Sequence, residues 1–211
     1  MVQSSFAARP AQQKIHVKDF SSERRYYENP DNVSMYSRFD PTHDGAELVD
    51  VLQPWLAEGA TVLELGTGPG KDFELLSRAY RVTGSDFSLA FLDYCREKFP
   101  DADLLHLDAL TIETNRHFDA IFSNKVLVHM TAEQLEDSFA RQHERLNAGG
   151  IILHSFWRGE GEHEFGDLTL RRRAEHDLRP LVERHFEILA LEPHAKMKEG
   201  DSVYVLARAK Q

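Results

Sequence analysis

The sequence predicts an α/β fold: a doubly wound, mostly parallel sheet of seven strands with an antiparallel last strand, preceded by a helical N-terminal segment. Three observations predict it. Strand-type and helix-type segments alternate from residue 61 onward, a run of glycines separates the first strand from its helix, and the last two strands lie close together. Alternation gives parallel strands with helices on both faces. A connection too short for a helix gives antiparallel pairing.

The elements follow in order. Residues 1–24 read as a loose polar tail without the apolar core of a signal peptide. Residues 25–40 are rich in aromatic side chains (Tyr26, Tyr27, Tyr36, Phe39), with a turn at Asn29-Pro30-Asp31-Asn32. Over 43–58, Leu48, Leu52, Trp55 and Leu56 fall on one helical face, which Pro54 should shorten. Thr61 to Leu65 is the first strand, and a short helix over 70–79 follows its glycines. A second strand over 80–85 leads to a helix over 88–99, with Ser88 as its N-cap. Strands are expected at 103–107 and 118–123. Thr131 and Gln134 have capping-box spacing and open a helix over 131–146, which Gly149-Gly150 ends. A strand over 151–156 precedes a stretch from Gly159 to Thr169, rich in Glu, Gly and His, that reads as an insertion. A helix over 173–184 and strands at 185–191 and 202–208 complete a Rossmann-like sheet with an antiparallel edge. The expected division is a tail and aromatic lid over 1–42 and one core domain over 43–211.

Composition bounds the partners. A chain of 211 residues suits one domain plus an extension. Lys+Arg 25 against Asp+Glu 35 leaves −10, which argues against nucleic acid and anionic membranes as partners. No stretch has the roughly 18–20 apolar residues of a membrane span. The single cysteine, Cys95, precludes an internal disulfide and a thiolate zinc site. It suits a reducing, cytoplasmic compartment. No metal site is expected.

The most informative stretch is Glu64-Leu65-Gly66-Thr67-Gly68-Pro69-Gly70. Glycines after a buried strand let the backbone turn sharply and approach a ligand. The dinucleotide fingerprint fails because position 71 is Lys71, and a phosphate P-loop fails because Asp72 follows Gly70-Lys71. The acid of Glu64 beside the bend suits a ligand carrying positive charge. Asp86, at the end of the second strand, can accept both hydroxyls of a ribose. Asp108, at the end of the third, can accept a hydrogen bond from an adenine amino group. All lie at the carboxyl ends of strands, where open sheets bind ligands.

These residues resemble the class I S-adenosylmethionine-dependent methyltransferases, in the broad small-molecule group with a short N-terminal lid. Glu64-x-Gly66-Thr67-Gly68-x-Gly70 resembles the first motif, which holds the methionine part of the cofactor. Asp86 matches the ribose acid, Phe87 its neighbour on adenine, and Asp108-Ala109 the pair at the adenine amino edge. Phe118 to Asn124 resembles the fourth strand, whose end lies beside the sulfonium, which places Asn124 at the cofactor. The resemblance implies methyl transfer from S-adenosylmethionine to an O, N or C nucleophile of a small molecule, leaving S-adenosylhomocysteine, in a monomer or homodimer. Ser123-Asn124-Lys125-Val126 departs from the Asn/Asp-Pro-Pro-Tyr motif of amino-methyltransferases acting on nucleic acid or protein amides. A non-catalytic S-adenosylmethionine-binding regulator or scaffold is the alternative. An aminopropyltransferase would need acids after the fourth strand, where Lys125 stands instead.

Acceptor-side candidates follow from position. His129, after the fourth strand, is the candidate general base at neutral pH. Trp157 and Arg158 end the fifth strand and are expected to wall the acceptor pocket. Tyr27 and Tyr36 belong to the segment expected to close over the site. A tyrosine face attracts a sulfonium or ammonium cation, which puts Tyr36 toward the cofactor and Tyr27 toward the acceptor.

Overall fold

Along the first strand, Leu63 and Leu65 pack into one buried cluster and Val62 into another. Burial on both sides is what a central parallel strand needs. The computed structural model describes residues 21–38, 45–195 and 198–211. In chain order its strands are β1 (Thr61–Leu65), β2 (Arg81–Asp86), β3 (Asp103–His106), β4 (Phe118–Asn124), β5 (Leu146–Trp157), β6 (Glu162–Phe165), β7 (Leu168–Arg171), β8 (Phe186–His194) and β9 (Ser202–Ala209). The α-helices are α1 (Ser21–Glu28), α2 (Pro30–Arg38), α3 (Ala46–Leu52), α4 (Lys71–Leu76), α5 (Leu89–Lys98), α6 (Ala132–Arg145) and α7 (Glu175–Val182).

The sheet has seven strands in the order β3-β2-β1-β4-β5-β9-β8. Strands β1 to β5 pair in parallel, and β9 is antiparallel to both β5 and β8. The last strand is antiparallel, as the short connection predicts. It lies inside the sheet beside β5, and the edge strand β8 pairs antiparallel with it, so the antiparallel edge is the β8–β9 pair. Helices α3 and α4 contribute Leu48, Leu52, Phe73 and Leu76 to one core cluster. Helices α6 and α7 contribute Leu135, Phe139, Leu178 and Val182 to the other. Among the described residues no helix is long and apolar enough to cross a membrane.

Local chemistry sets the helix ends. Ser88 accepts the Phe91 N–H at 3.2 Å, and Thr131 and Gln134 form a reciprocal capping box. Pro30 opens α2, where a missing N–H costs nothing. The expected helix over 43–58 is shorter: α3 ends at Leu52 and a 3₁₀ turn at Gln53–Trp55 absorbs Pro54. Residues 1–20, Phe39 and His43 lie outside the described residues. Residues 21–24, read as tail, belong to α1. The largest difference is the stretch read as an insertion, which is the hairpin β6–β7.

One polar chain crosses the core between the sheet and α6. Ser123 Oγ lies 2.8 Å from His154 Nδ1, and His154 Nε2 lies 2.6 Å from Gln142 Oε1. Gln142 Nε2 donates to Ser138 Oγ at 3.1 Å, and Ser138 Oγ donates to the Ala109 carbonyl at 2.6 Å. The amide oxygen can only accept, so His154 Nε2 carries the proton and Nδ1 accepts from Ser123. Burial pushes the His154 imidazole down to about 3. Its unfolded value near 6.5 is higher, so the neutral side chain stabilises the fold above that value and the contribution is lost as pH falls. We expect this group to remove about 3 kcal/mol between pH 7 and pH 4. Chemical denaturation across that range should therefore give a shallower pH slope for His154→Asn, which starts about 1–3 kcal/mol less stable at pH 7. Parallel slopes for the two proteins would refute the assignment.

Candidate active site

The strand order reverses between β1 and β4, and connections leave them for opposite faces. A crevice opens at their carboxyl ends. In this structure it is a cavity of about 470 Å³. Its walls are the loop after β1, the ends of β2 to β5, the hairpin β6–β7, and helices α1 and α2.

The loop after β1 bends at Gly66, whose φ is +66°. A Cβ there would stand 2.5 Å from the Val126 side chain, so only glycine lets the two turns meet. At Gly68, in contrast, the nearest heavy atom to an added Cβ is 3.9 Å away, and the loop's face is open to the cavity. The Thr67 N–H donates to the Ser85 carbonyl at 2.8 Å. The Gly68 N–H donates to Asp86 Oδ2 at 2.9 Å. The loop and the end of β2 are thereby one unit.

Two expected cofactor residues stand behind the wall. Glu64 is 2 % exposed and absent from the cavity surface. Thr67 Oγ1 donates to its carboxylate at 2.9 Å. Burial, then the charge of Asp72, raises its carboxyl well above the usual carboxylate range. In this position Glu64 supports the loop. Gly70 is the N-cap of α4, at φ +78°, and packs so closely that a Cβ would stand 2.6 Å from the Phe99 ring. It closes the turn without reaching the cavity.

The other expected cofactor residues line the cavity: Tyr36, Gly66, Thr67, Gly68, Asp86, Phe87, Asp108, Ala109 and Asn124. Asp86 accepts from the Ser88 N–H at 2.8 Å as well as from Gly68. Burial raises its carboxyl to about 6, against the lowering effect of those hydrogen bonds. Asp108 Oδ1 accepts the Leu110 N–H at 2.8 Å. Asn124 donates to Asp72 at 3.0 Å and accepts from Ser155 Oγ at 2.6 Å. Cys95 is buried beneath the loop, its Sγ 3.1 Å from the Gly68 carbonyl, and burial pushes its thiol up to about 12.

On the other side, Tyr27, His129 and Trp157 line the same cavity. His129 Nδ1 lies 3.1 Å from the Thr169 carbonyl, which can only accept, so Nδ1 carries the proton. Its Nε2 therefore accepts from Tyr27 Oη at 3.3 Å. Arg171 of the hairpin donates to the His129 carbonyl. Arg158 does not join them. Its guanidinium turns to Glu175 at 2.8 Å, outside the cavity. The pair is partly exposed and worth about 1 kcal/mol or less.

Several wall residues escape sequence reasoning. Arg24 of α1 pairs with Asp108 at 2.5 Å, and its guanidinium lies 5.5 Å from the centre of the Phe87 ring. Phe165, Leu168 and Leu170 arrive on the hairpin. A signal for the hairpin exists: Gly166-Asp167 between Phe165 and Leu168 is a two-residue turn, with Gly166 at φ +59°. Lys125 follows β4 at φ +62° and also lines the cavity.

Comparison with known proteins agrees with this geometry. Residues 62–150 match a family described as "Methyltransferase domain". Phosphoethanolamine N-methyltransferase of Triticum aestivum is 32% identical over 154 residues, 69% of this chain and 29% of that protein. Trans-aconitate 2-methyltransferase of Paracidovorax citrulli (strain AAC00-1) is 30% identical over 128 residues, 57% of this chain and 48% of its own. The match thus spans less than half the length of either relative. Among solved structures, the 1,6-didemethyltoxoflavin-N1-methyltransferase of Burkholderia thailandensis aligns with TM-score 0.73 at 21% identity, over 100% of this chain and 94% of that one. The glycine loop at the β1–β4 crevice and the acids ending β2 and β3 fall within the segment that matches a methyltransferase domain, and the seven-stranded sheet has the fold of the solved methyltransferase.

Proposed function

We propose that the protein transfers the methyl group of S-adenosylmethionine to a nucleophile of a small molecule. The observation that carries this reading is that Asp86 and Asp108, ending neighbouring parallel strands, face one cavity floored by an open glycine loop. The donor set fits the cofactor: carboxylates for the ribose hydroxyls and the adenine amino group, the Phe87 ring for the base, and loop backbone for the amino-acid end. When bound, S-adenosylmethionine supplies a methyl on a sulfonium, so the protein's main work is orientation and exclusion of water. Tyr36 and Tyr27 would cover the site from α2 and α1. His129, whose Nε2 accepts the Tyr27 hydroxyl, would take a proton from an O or N nucleophile that displaces that hydroxyl. Trp157 would wall the acceptor. The relatives' names, phosphoethanolamine and trans-aconitate methyltransferases, support a small-molecule acceptor here. The protein would work in the cytoplasm, as a monomer or homodimer.

Titration calorimetry tests the cofactor. Micromolar binding of S-adenosylmethionine and S-adenosylhomocysteine, with none of NAD, is expected. Asp86→Ala should weaken it by about 1–3 kcal/mol. The ribose hydroxyls donate to the ionised form of Asp86, which in the free protein titrates near 6. Affinity should therefore rise with pH and level off above that value, about tenfold weaker at pH 5 than at pH 7. A flat profile would remove Asp86 from the ribose.

For an acceptor with a titrating nucleophile, found by a screen of amines, phenols and alcohols, His129→Ala should lower kcat at least about a hundredfold. Affinity for S-adenosylhomocysteine should stay the same. An unchanged kcat would leave His129 a packing residue.

A further inference from the structure

Resting on the reading that His129 is the base, we propose that Arg171 is its positioning residue: from the hairpin β6–β7 it holds the turn after β4 so that His129 keeps its proton on Nδ1 and turns Nε2 toward the acceptor.

The first observation is that β7 grips His129 at two points. Arg171 donates to the His129 carbonyl, and His129 Nδ1 donates to the Thr169 carbonyl at 3.1 Å. One contact fixes the backbone of the residue and the other fixes its ring. Both come from one strand, so the pleat of β7 sets the distance between them.

The second is how the grip is anchored. Arg171 Nε donates to Glu162 Oε1 at 2.9 Å, and Glu162 stands directly opposite it on β6. Arg173 donates to the next carbonyl along the turn, that of Met130, at 2.8 Å. The Arg173 N–H donates to the Trp157 carbonyl at 2.8 Å, which ties the grip to the end of β5. The run Arg171-Arg172-Arg173 thus divides by alternation. Its first and third members reach the turn that carries His129, while Arg172 is exposed and donates to the Arg158 carbonyl at 3.0 Å.

The third is which contact selects the tautomer. Tyr27 Oη lies 3.3 Å from His129 Nε2, and a hydroxyl can donate to a bare ring nitrogen or accept from a protonated one. Tyr27 therefore leaves the tautomer open. The Thr169 carbonyl can only accept, and it selects the proton on Nδ1. A base needs its lone pair on the nitrogen that faces the substrate. Leu168 and Leu170 of the same strand line the cavity. The strand that shapes the acceptor wall also sets the base.

The test is NMR correlation of the ring nitrogens with their carbon-bound protons, in the full chain isotope-labelled at its histidines. It is run at about pH 8, where an ordinary imidazole is neutral. The signals of His129 are identified by their loss in His129→Ala. They should report the proton on Nδ1 in the wild type and in Arg171→Lys, which keeps a donor for the carbonyl. In Arg171→Met, which keeps the length and removes every donor, the proton on Nε2 should become the major form. With an acceptor from the screen, Arg171→Met should lower kcat about tenfold or more and leave S-adenosylhomocysteine affinity unchanged. In the His129→Ala background it should cost nothing further, because it acts through His129. If Arg171→Met does not fold, Glu162→Lys sets a like charge opposite Arg171 at an exposed position and must move the tautomer the same way. A wild-type proton on Nε2, a proton that stays on Nδ1 without the Arg171 donor, or an equal kcat loss with and without His129 overturns the inference. An unchanged kcat in His129→Ala instead removes the base reading, whichever nitrogen carries the proton.

Discussion

A Cβ on Gly66 would stand 2.5 Å from Val126, so the turn after β1 and the turn after β4 can meet only through a glycine. Much of the site depends on that meeting. It brings the glycine loop against the turn after β4, at the point where the strand order reverses. It directs the Thr67 N–H onto the Ser85 carbonyl and the Gly68 N–H onto Asp86. A displaced loop would release the acid at the end of β2 from one of its backbone donors. Backbone geometry at one residue thus sets the position of a carboxylate twenty residues later.

Burial then divides the acids by task. Glu64 and Asp86 are both buried, and both titrate above their ordinary range chiefly because of desolvation. Close carboxylates in a low-dielectric site resist ionising together. Glu64, behind the wall, receives the Thr67 hydroxyl and supports the loop. Asp86 faces the cavity and receives two backbone N–H groups, which favour its charged form. The more exposed Asp108 meets Arg24.

Helix α1 joins the two halves of the cavity. Arg24 reaches Asp108 on the β3 side, while Tyr27 reaches His129 after β4. The Tyr27 ring also lies 6.1 Å from Phe87 and 6.0 Å from Phe91, and its carbonyl accepts Ser88 Oγ at 2.6 Å. Aromatic packing, an ion pair and hydrogen bonds therefore hold the segment. Each is modest alone, about 1 kcal/mol.

The sequence by itself determined the elements, their parallel pairing, and which strand ends carry acids. The helical spacing of Leu48 and Leu52, the Thr131–Gln134 box and the glycine spacing are local patterns, and local patterns survive in one dimension. It reached Tyr27, His129 and Trp157 because each lies beside a recognised strand end or turn. It did not foresee that Arg158, which shares a strand end with Trp157, turns to Glu175 seventeen residues on. It read β6–β7 as an insertion because all four β6 residues are exposed and show no alternating burial. It did not place β9 between β5 and β8, or bring Arg24 to Asp108 and Lys125 to Trp157. Only the tertiary structure decided these. Partner choice between side chains far apart in the chain depends on how twist, register and packing bring them within a few ångströms, and no short-range pattern records that distance.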